Sequence, residues 1–445
     1  MIRSTLLTFC ITYCLSSFVL ADVNESSPDD FLSEDEFEFQ DDSEEGQAQV
    51  SAEREAQTNI VEPNTSLIAK WMSDIQIRLQ GDARYNFSQH HSQLRRASLG
   101  IKYETAPFRS AYIKLDSKYS YFNQDDYLVT DSESYGALKL NALWLQYSVQ
   151  NCAIKLGQQG VFWGVVEGTY AVDLITPLDT TEPLLTDFSE LRSSQNLALL
   201  SCYQGDYDFD LFYSPKALLD RHQHTNRSAL RSFEKTLNDE YGARVSRHWE
   251  GLDLSFVYAR LYGNSPLLVP DPSAPLSPDF VVPRFDFYGL SSVWAIERLL
   301  LKADIGYSRD QLIQKLSARG SDLLIEESTD ISLGLEYTTD QSHDFSMAFW
   351  HRKLNFMSDR SQDEYDKIWF ISWSKKYFSD TLTSSLLGYW LENGSAQVTT
   401  LLQEYQIDDQ WTISGALQFG ESEQVFSGAK GESELALYSS LKVQF

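Results

Sequence analysis

From Asp74 onward the chain alternates apolar and polar positions with a period of two. In "IQIRLQGDARYN", Ile75, Ile77, Leu79, Ala83 and Tyr85 fall on one side. Gln76, Arg78, Gln80, Asp82, Arg84 and Asn86 fall on the other. Successive side chains of an extended strand point to opposite faces, so this pattern predicts a strand with one apolar and one polar face. The alternation recurs to the last residue and predicts eighteen strands. They span 74–87, 94–104, 108–122, 136–149, 152–163, 195–203, 206–214, 240–248, 251–262, 284–296, 298–308, 329–338, 343–352, 366–376, 380–391, 396–407, 410–420 and 434–445.

The connections alternate as well. Every second one is tight, among them "QN", "QGD", "WEG" and "IE", whereas 164–194, 215–239, 263–283 and 309–328 are long. Short turns at one end and long loops at the other are the layout of an antiparallel up-and-down transmembrane β-barrel, with short periplasmic turns and long extracellular loops. The final strand ends on Phe445 in mid-alternation. A closed barrel accounts for this, because its last strand pairs with its first and leaves no edge. The terminal aromatic also resembles the end signature of bacterial outer-membrane proteins, which implies recognition of Phe445 by the barrel-assembly machinery.

Composition fits this all-β reading. Mean hydropathy is only −0.34, as expected where lipid-facing and lumen-facing residues alternate. The 25 Phe, 24 Tyr and 10 Trp suit aromatic girdles at two membrane interfaces. Before the barrel lie two further segments. Residues 1–21, with Arg3, an apolar run to Leu20 and Ala21, read as a secretory signal peptide. Residues 22–70 read as an acidic disordered periplasmic segment, with twelve acids and no Lys or Arg between Asp22 and Glu45. Residues 71–445 then form the barrel. The expected location is the bacterial outer membrane, in contact with its lipid and lipopolysaccharide.

The polar face of the first five strands carries Arg78, Arg84, Arg96, Lys102, Lys114, Lys118 and Lys155 against Asp82, Glu104 and Asp116. The seventh strand places Asp208 and Asp210 on the same face. A basic arc of this kind, opposed by acids, orients solutes in a water-filled pore and favours anions. The alternative is a network of ion pairs filling the lumen. Once the signal peptide is removed, two cysteines remain. Antiparallel neighbours would bring Cys152 and Cys202 to the periplasmic rim, where they either pair as a disulfide or stand as two small apolar residues.

The stretch "KLGQQGVFWGVVEGTYAVDLITPLD", residues 155–179, stands apart. Gly157 and Gly164 permit close backbone approach, Trp163 suits the outer membrane interface, and Asp173 and Asp179 are placed to cap turns. Folded inward, the loop would narrow the pore. Gly157, Gln159, Trp163, Gly164, Asp173, Pro177 and Asp179 resemble a motif of alginate-export and related porin-like families. This chain has Gln158 and Thr176 where a basic residue and Asn are common there.

Catalytic patterns are missing: there is no GxSxG, no HExxH and no Walker loop. The His-x-His of "DRHQH", with Asp220, His222 and His224, reads as a solvated loop rather than a metal site. Strong acidity argues against a nucleic-acid partner. The expected function is therefore a cofactor-free channel for small or anionic solutes. Alternatives are a secretion conduit for an anionic polymer or lipid-like product, working with an inner-membrane transporter, and a non-conducting surface barrel.

Overall fold

A computed structural model of the chain describes residues 74–87, 91–125, 132–180, 192–222, 234–269, 279–317, 320–355, 364–391, 396–422 and 434–445. Residues 1–73, including the stretches read above as a signal peptide and an acidic segment, lie outside the described residues. Eighteen strands form one closed antiparallel barrel: Ile75–Asn86, His91–Phe108, Ala111–Asp125, Ser132–Val149, Cys152–Gln159, Gln195–Gln204, Tyr207–Ser214, Glu240–Trp249, Leu252–Tyr262, Arg284–Ile296, Leu299–Ser317, Gly320–Thr338, His343–Asn355, Glu364–Tyr377, Leu382–Leu391, Ala396–Gln406, Trp411–Ser422 and Glu434–Gln444.

Closure comes from the first and last strands, which pair from Arg78 opposite Gln444 to Asn86 opposite Ala436. Beyond that ladder Ile77 and Phe445 exchange two N–H···O bonds of 3.0 and 2.9 Å. The barrel uses the chain to its final residue because any shortfall would expose an unpaired edge.

The alternation sorts side chains as its period requires. Ile77, Leu79, Leu99, Ile101, Leu143 and Leu145 face outward and are exposed, while Asp82, Arg96, Lys114, Lys118 and Lys155 face inward and are buried. A slip of one residue would turn the charges to lipid at about 2–4 kcal/mol for each basic residue near the bilayer midplane. Exposed Phe108, Tyr147, Trp249, Trp294, Tyr337 and Tyr405 sit beside the short turns and form a girdle. Several of those turns rely on a left-handed residue, with φ of 53° at Gln150, 62° at Gly205, 75° at Gly251 and 55° at Glu297.

Two expectations need correction. Residues 309–328 do not form a long loop: Leu299–Ser317 and Gly320–Thr338 run on as a tall hairpin. The register shifts between Ser308 and Gln311, where Asp310 has a φ of 61°, and this bulge breaks the period-two pattern. The fifth strand ends at Gln159, not at 163, because the chain there turns into the barrel.

Candidate functional site

Residues 160–178 leave the wall and pack inside the lumen. A clamp closes the base of this inserted segment: the Val161 N–H donates to Thr176 Oγ1 at 2.8 Å, and the Thr176 hydroxyl donates back to the Val161 carbonyl at 2.9 Å. Its two flanks bury apolar side chains against two parts of the wall separated by the strands Leu299–Ser317 and Gly320–Thr338. Val161, Trp163, Val172 and Ile175 pack on Leu197, Leu199, Phe212, Val257, Leu261 and Phe287. Val166 and Ala171 pack on Ala348, Trp350, Ile368, Phe370, Leu387 and Tyr389. Trp163 is therefore not at the outer interface. It is buried inside the barrel, edge-on to Phe212, with the Arg244 guanidinium 5.6 Å from its ring centre. The cluster of Leu197, Leu199, Phe212 and Phe287 encloses its ring, whereas an interface position would leave one edge in water.

Between the two apolar contacts the wall is cut away and polar. Gly289, Gly306 and Gly334 lie beneath Val172, Ala171 and Val166, and a Cβ on Gly306 would collide with the Ala171 carbonyl. Asp304 Oδ2 accepts the N–H groups of Val165 and Val166 at 3.0 and 2.9 Å. Its cross-strand neighbour Ser291 donates to the Trp163 carbonyl. Glu167 reaches Lys302 at 3.5 Å, and Lys302 pairs in turn with Glu336 at 2.6 Å.

The return limb is held by the far side of the same excursion. Arg192 binds Asp173 at 2.7 Å and the Thr176 carbonyl at 2.8 Å. Burial pushes the Asp173 carboxyl above its usual range, and Arg192 pulls it back. The Ser193 N–H donates to the Pro177 carbonyl, and the Leu178 N–H donates to Asp220. Burial raises the Asp220 carboxyl to about 7. Asp220 is thus committed to the loop backbone, and His224 lies outside the described residues. Asp179 ends the segment 3.6 Å from Lys139. At the other end Gly157, with a φ of 132°, presses on the backbone of Leu143 and Trp144, a contact only glycine allows. The buried Gln159 side chain donates to the carbonyls of Lys155 and Leu197. Gly164 lies against Asp173.

The basic positions line the inner face of the strands from Ile75 to Gln159. The acids of this arc stand directly opposite bases on the next strand: Asp82 opposite Arg96, Lys102 opposite Asp116, and Glu104 opposite Lys114. Asp82 and Arg96 form a fully enclosed pair at 2.6 Å. Lys102 and Lys114 each lie 3.4 Å from Glu104. Arg84 stacks on Tyr438 and Lys155 on Trp144, at 5.1 and 4.3 Å. Arg78 lines the same face. Lys118 stands opposite Lys139, two like charges side by side.

The seventh-strand acids answer local bases. Asp210 binds Arg244 at 2.8 Å and Ser201, and Asp208 binds His248 at 2.7 Å. Sequence reading missed Arg192, Arg244, Lys302 and Asp304, whose roles depend on partners far along the chain. Three glycines at inward positions of adjacent strands were the available signal. At the short-turn rim, Cys152 and Cys202 stand opposite each other with Cα atoms 4.1 Å apart and are joined by a disulfide.

No protein-family model matches the chain, so the alginate-export resemblance of residues 155–179 finds no counterpart there. No curated protein matches it. Similar solved structures include Salmonella typhi OmpF in complex with daunomycin, at 11% identity over 84% of this chain and 97% of that one, with a TM-score of 0.44. Acinetobacter baumannii OccAB4 is also similar, at 11% identity over 83% and 98% of the two chains, with a TM-score of 0.47. Pseudomonas aeruginosa OpdK with vanillate is similar at 9% identity over 83% and 98%, with a TM-score of 0.48.

Proposed function

We propose that this chain is a bacterial outer-membrane channel whose narrowest part lies between the inserted segment and the basic arc, and that it passes small, preferentially anionic solutes. The observation that supports this reading most directly is the placement of residues 160–178. They are fastened to the wall by Asp304, the glycine seat and two apolar clusters, while the strands Ile75–Asn86 to Cys152–Gln159 present the cations. An eighteen-strand barrel is wide enough to hold water unless something fills it. Charges lining a confined path act within a screening length of roughly 8 Å at physiological salt, so the wall beside the opening sets selectivity. A partly filled lumen also favours small solutes over a bulky polymer.

Planar-bilayer recordings of the refolded mature protein test this. Stepwise conductance with a reversal potential towards anion preference is expected. Replacing Arg84, Lys114 and Lys118 by Ser should move it towards cations. A barrel that assembles but never conducts would overturn the reading.

A further inference from the structure

We propose that the outside of the barrel carries a site for a phospholipid headgroup at its short-turn end, where Lys375 and His343 together grip the phosphodiester. The site faces lipid rather than the lumen, so it stands whether or not the channel conducts.

Its first support is a polar row on an otherwise apolar face. His343, Lys375, Ser384 and Gln403 stand opposite one another on four neighbouring strands. They share the outward positions of those strands with exposed Phe345, Ile371, Leu386 and Leu401. Away from the turns, the next outward row is Tyr337, Phe345, Trp373, Leu386 and Leu401. Towards the turns it is Tyr377, Leu382 and Tyr405. The polar row is thus bracketed by the girdle, at the level where lipid headgroups begin.

The second support is an excess of donors. Trp373 Nε1–H donates to His343 Nδ1 at 3.1 Å. An indole N–H can only donate, so Nδ1 presents its lone pair and the neutral ring carries its hydrogen on Nε2. That hydrogen faces Lys375, whose Nζ lies 2.8 Å from Nε2. An ammonium also offers only donors. Two donors therefore face each other, and among the described residues no carboxylate pairs with Lys375. The Ser384 hydroxyl beside them is already given to Gln403 Oε1 at 2.7 Å. An anion with two acceptor oxygens, capping the pair from outside the wall, would serve Nε2–H and Nζ together.

The third support is that the pair is held ready. The imidazole stacks on Phe345, with ring centres 6.2 Å apart and planes 9° from parallel. Lys375 Nζ lies 5.2 Å from the centre of the Tyr377 ring. Groups fixed in place before a ligand arrives lose less entropy when it binds. Beyond the pair, outward Met347, Trp369 and Ile371 continue an apolar surface on which acyl chains can lie. The matching ligand has an anionic phosphodiester at the head of apolar chains. With short turns on the periplasmic side, it is a phospholipid of the periplasmic leaflet. Free phosphate has the oxygens but nothing to cover the apolar surface.

Native mass spectrometry of the refolded, delipidated mature protein tests the site, with dioleoyl phosphatidylglycerol as the probe. Saturable binding is expected, and dioleoylglycerol, which has the same chains and no phosphate, should bind far more weakly. Lys375→Met and His343→Phe should each weaken phosphatidylglycerol binding by roughly tenfold, the scale of one lost hydrogen bond to a charged group. Both changes are on the lipid face, and unchanged heat-modifiable migration will show that the barrel still folds. Lys376→Met is the control, because the next residue along the strand points to the other side. Equal binding of the two lipids, unchanged binding in both variants, or the same loss in Lys376→Met would overturn the inference. Displacement of the lipid by millimolar inorganic phosphate would overturn it too, since the site would then read a free anion rather than a headgroup.

Discussion

Gly306 and Ala171 meet backbone to backbone: the inner face of one barrel strand has no room for a Cβ beneath the carbonyl of the inserted segment. This is the tightest point of the seat. Overpacking a close contact typically costs about 1–3 kcal/mol, enough to shift the segment rather than the sheet. Gly306→Val should therefore assemble into a barrel, change single-channel conductance at least twofold, and open residues 160–178 to proteolysis. Gly415→Ala is the control, since the nearest atom to its added methyl is 3.7 Å away. Equal conductance in wild type and Gly306→Val would show that the segment does not bound the pore.

Asp304 fastens the same segment electrostatically. One carboxylate oxygen accepts two backbone N–H groups. Hydrogen bonds to a charged acceptor contribute about 1.5–3 kcal/mol each, against about 0.5–1.5 for a neutral one. Asp304→Asn keeps the shape and loses the charge, so the attached state should weaken by about 1–2 kcal/mol, or roughly 5- to 30-fold in population. Single-channel records should show that as added current noise and more frequent transitions between levels. A quiet channel with wild-type dwell times would contradict the assignment.

These fastenings mark the limit of what the sequence disclosed. The eighteen strands were legible because lipid on one side and water or polar packing on the other impose a period of two. The inward charges Arg84, Arg96 and Lys114 follow from the same rule. The destination of Trp163 was not legible, because a Trp after a strand suits a lipid interface and a buried lumen equally well. Asp304 sits 138 residues beyond Val166 and reads as one more polar position of its strand. The bulge at Asp310 hid a hairpin by breaking the period that reveals strands.

The Asp82–Arg96 pair should dominate the local energetics of the arc. Both side chains are wholly enclosed and lie 2.6 Å apart. Removing one member of a buried pair leaves a charge without compensation, at about 3–5 kcal/mol, whereas removing both is often nearly neutral. Arg96→Ser should markedly lower the temperature at which the folded barrel loses its compact electrophoretic migration. The double change Asp82→Ser with Arg96→Ser should restore most of it. A double variant no more stable than Arg96→Ser would mean that the carboxylate is not the source of the loss.

The disulfide makes a contrasting prediction. Cys152 and Cys202 enclose a 50-residue separation that contains the whole inserted segment. Closing such a loop in the unfolded chain contributes about 4 kcal/mol in the chain-entropy model, so the bond acts on stability. It acts from a distance, because it lies at the short-turn rim and the chain leaves the wall only at Gln159, seven residues and about 23 Å further along the strand. Mature protein, without Cys10 and Cys14, should therefore show no reactive thiol when denatured without reductant. The Cys152→Ser and Cys202→Ser double variant should assemble, unfold at lower temperature, and conduct as wild type does. Two free thiols per mature chain would remove the bond. Altered conductance in the double variant would instead show that the rim and the inserted segment are mechanically linked.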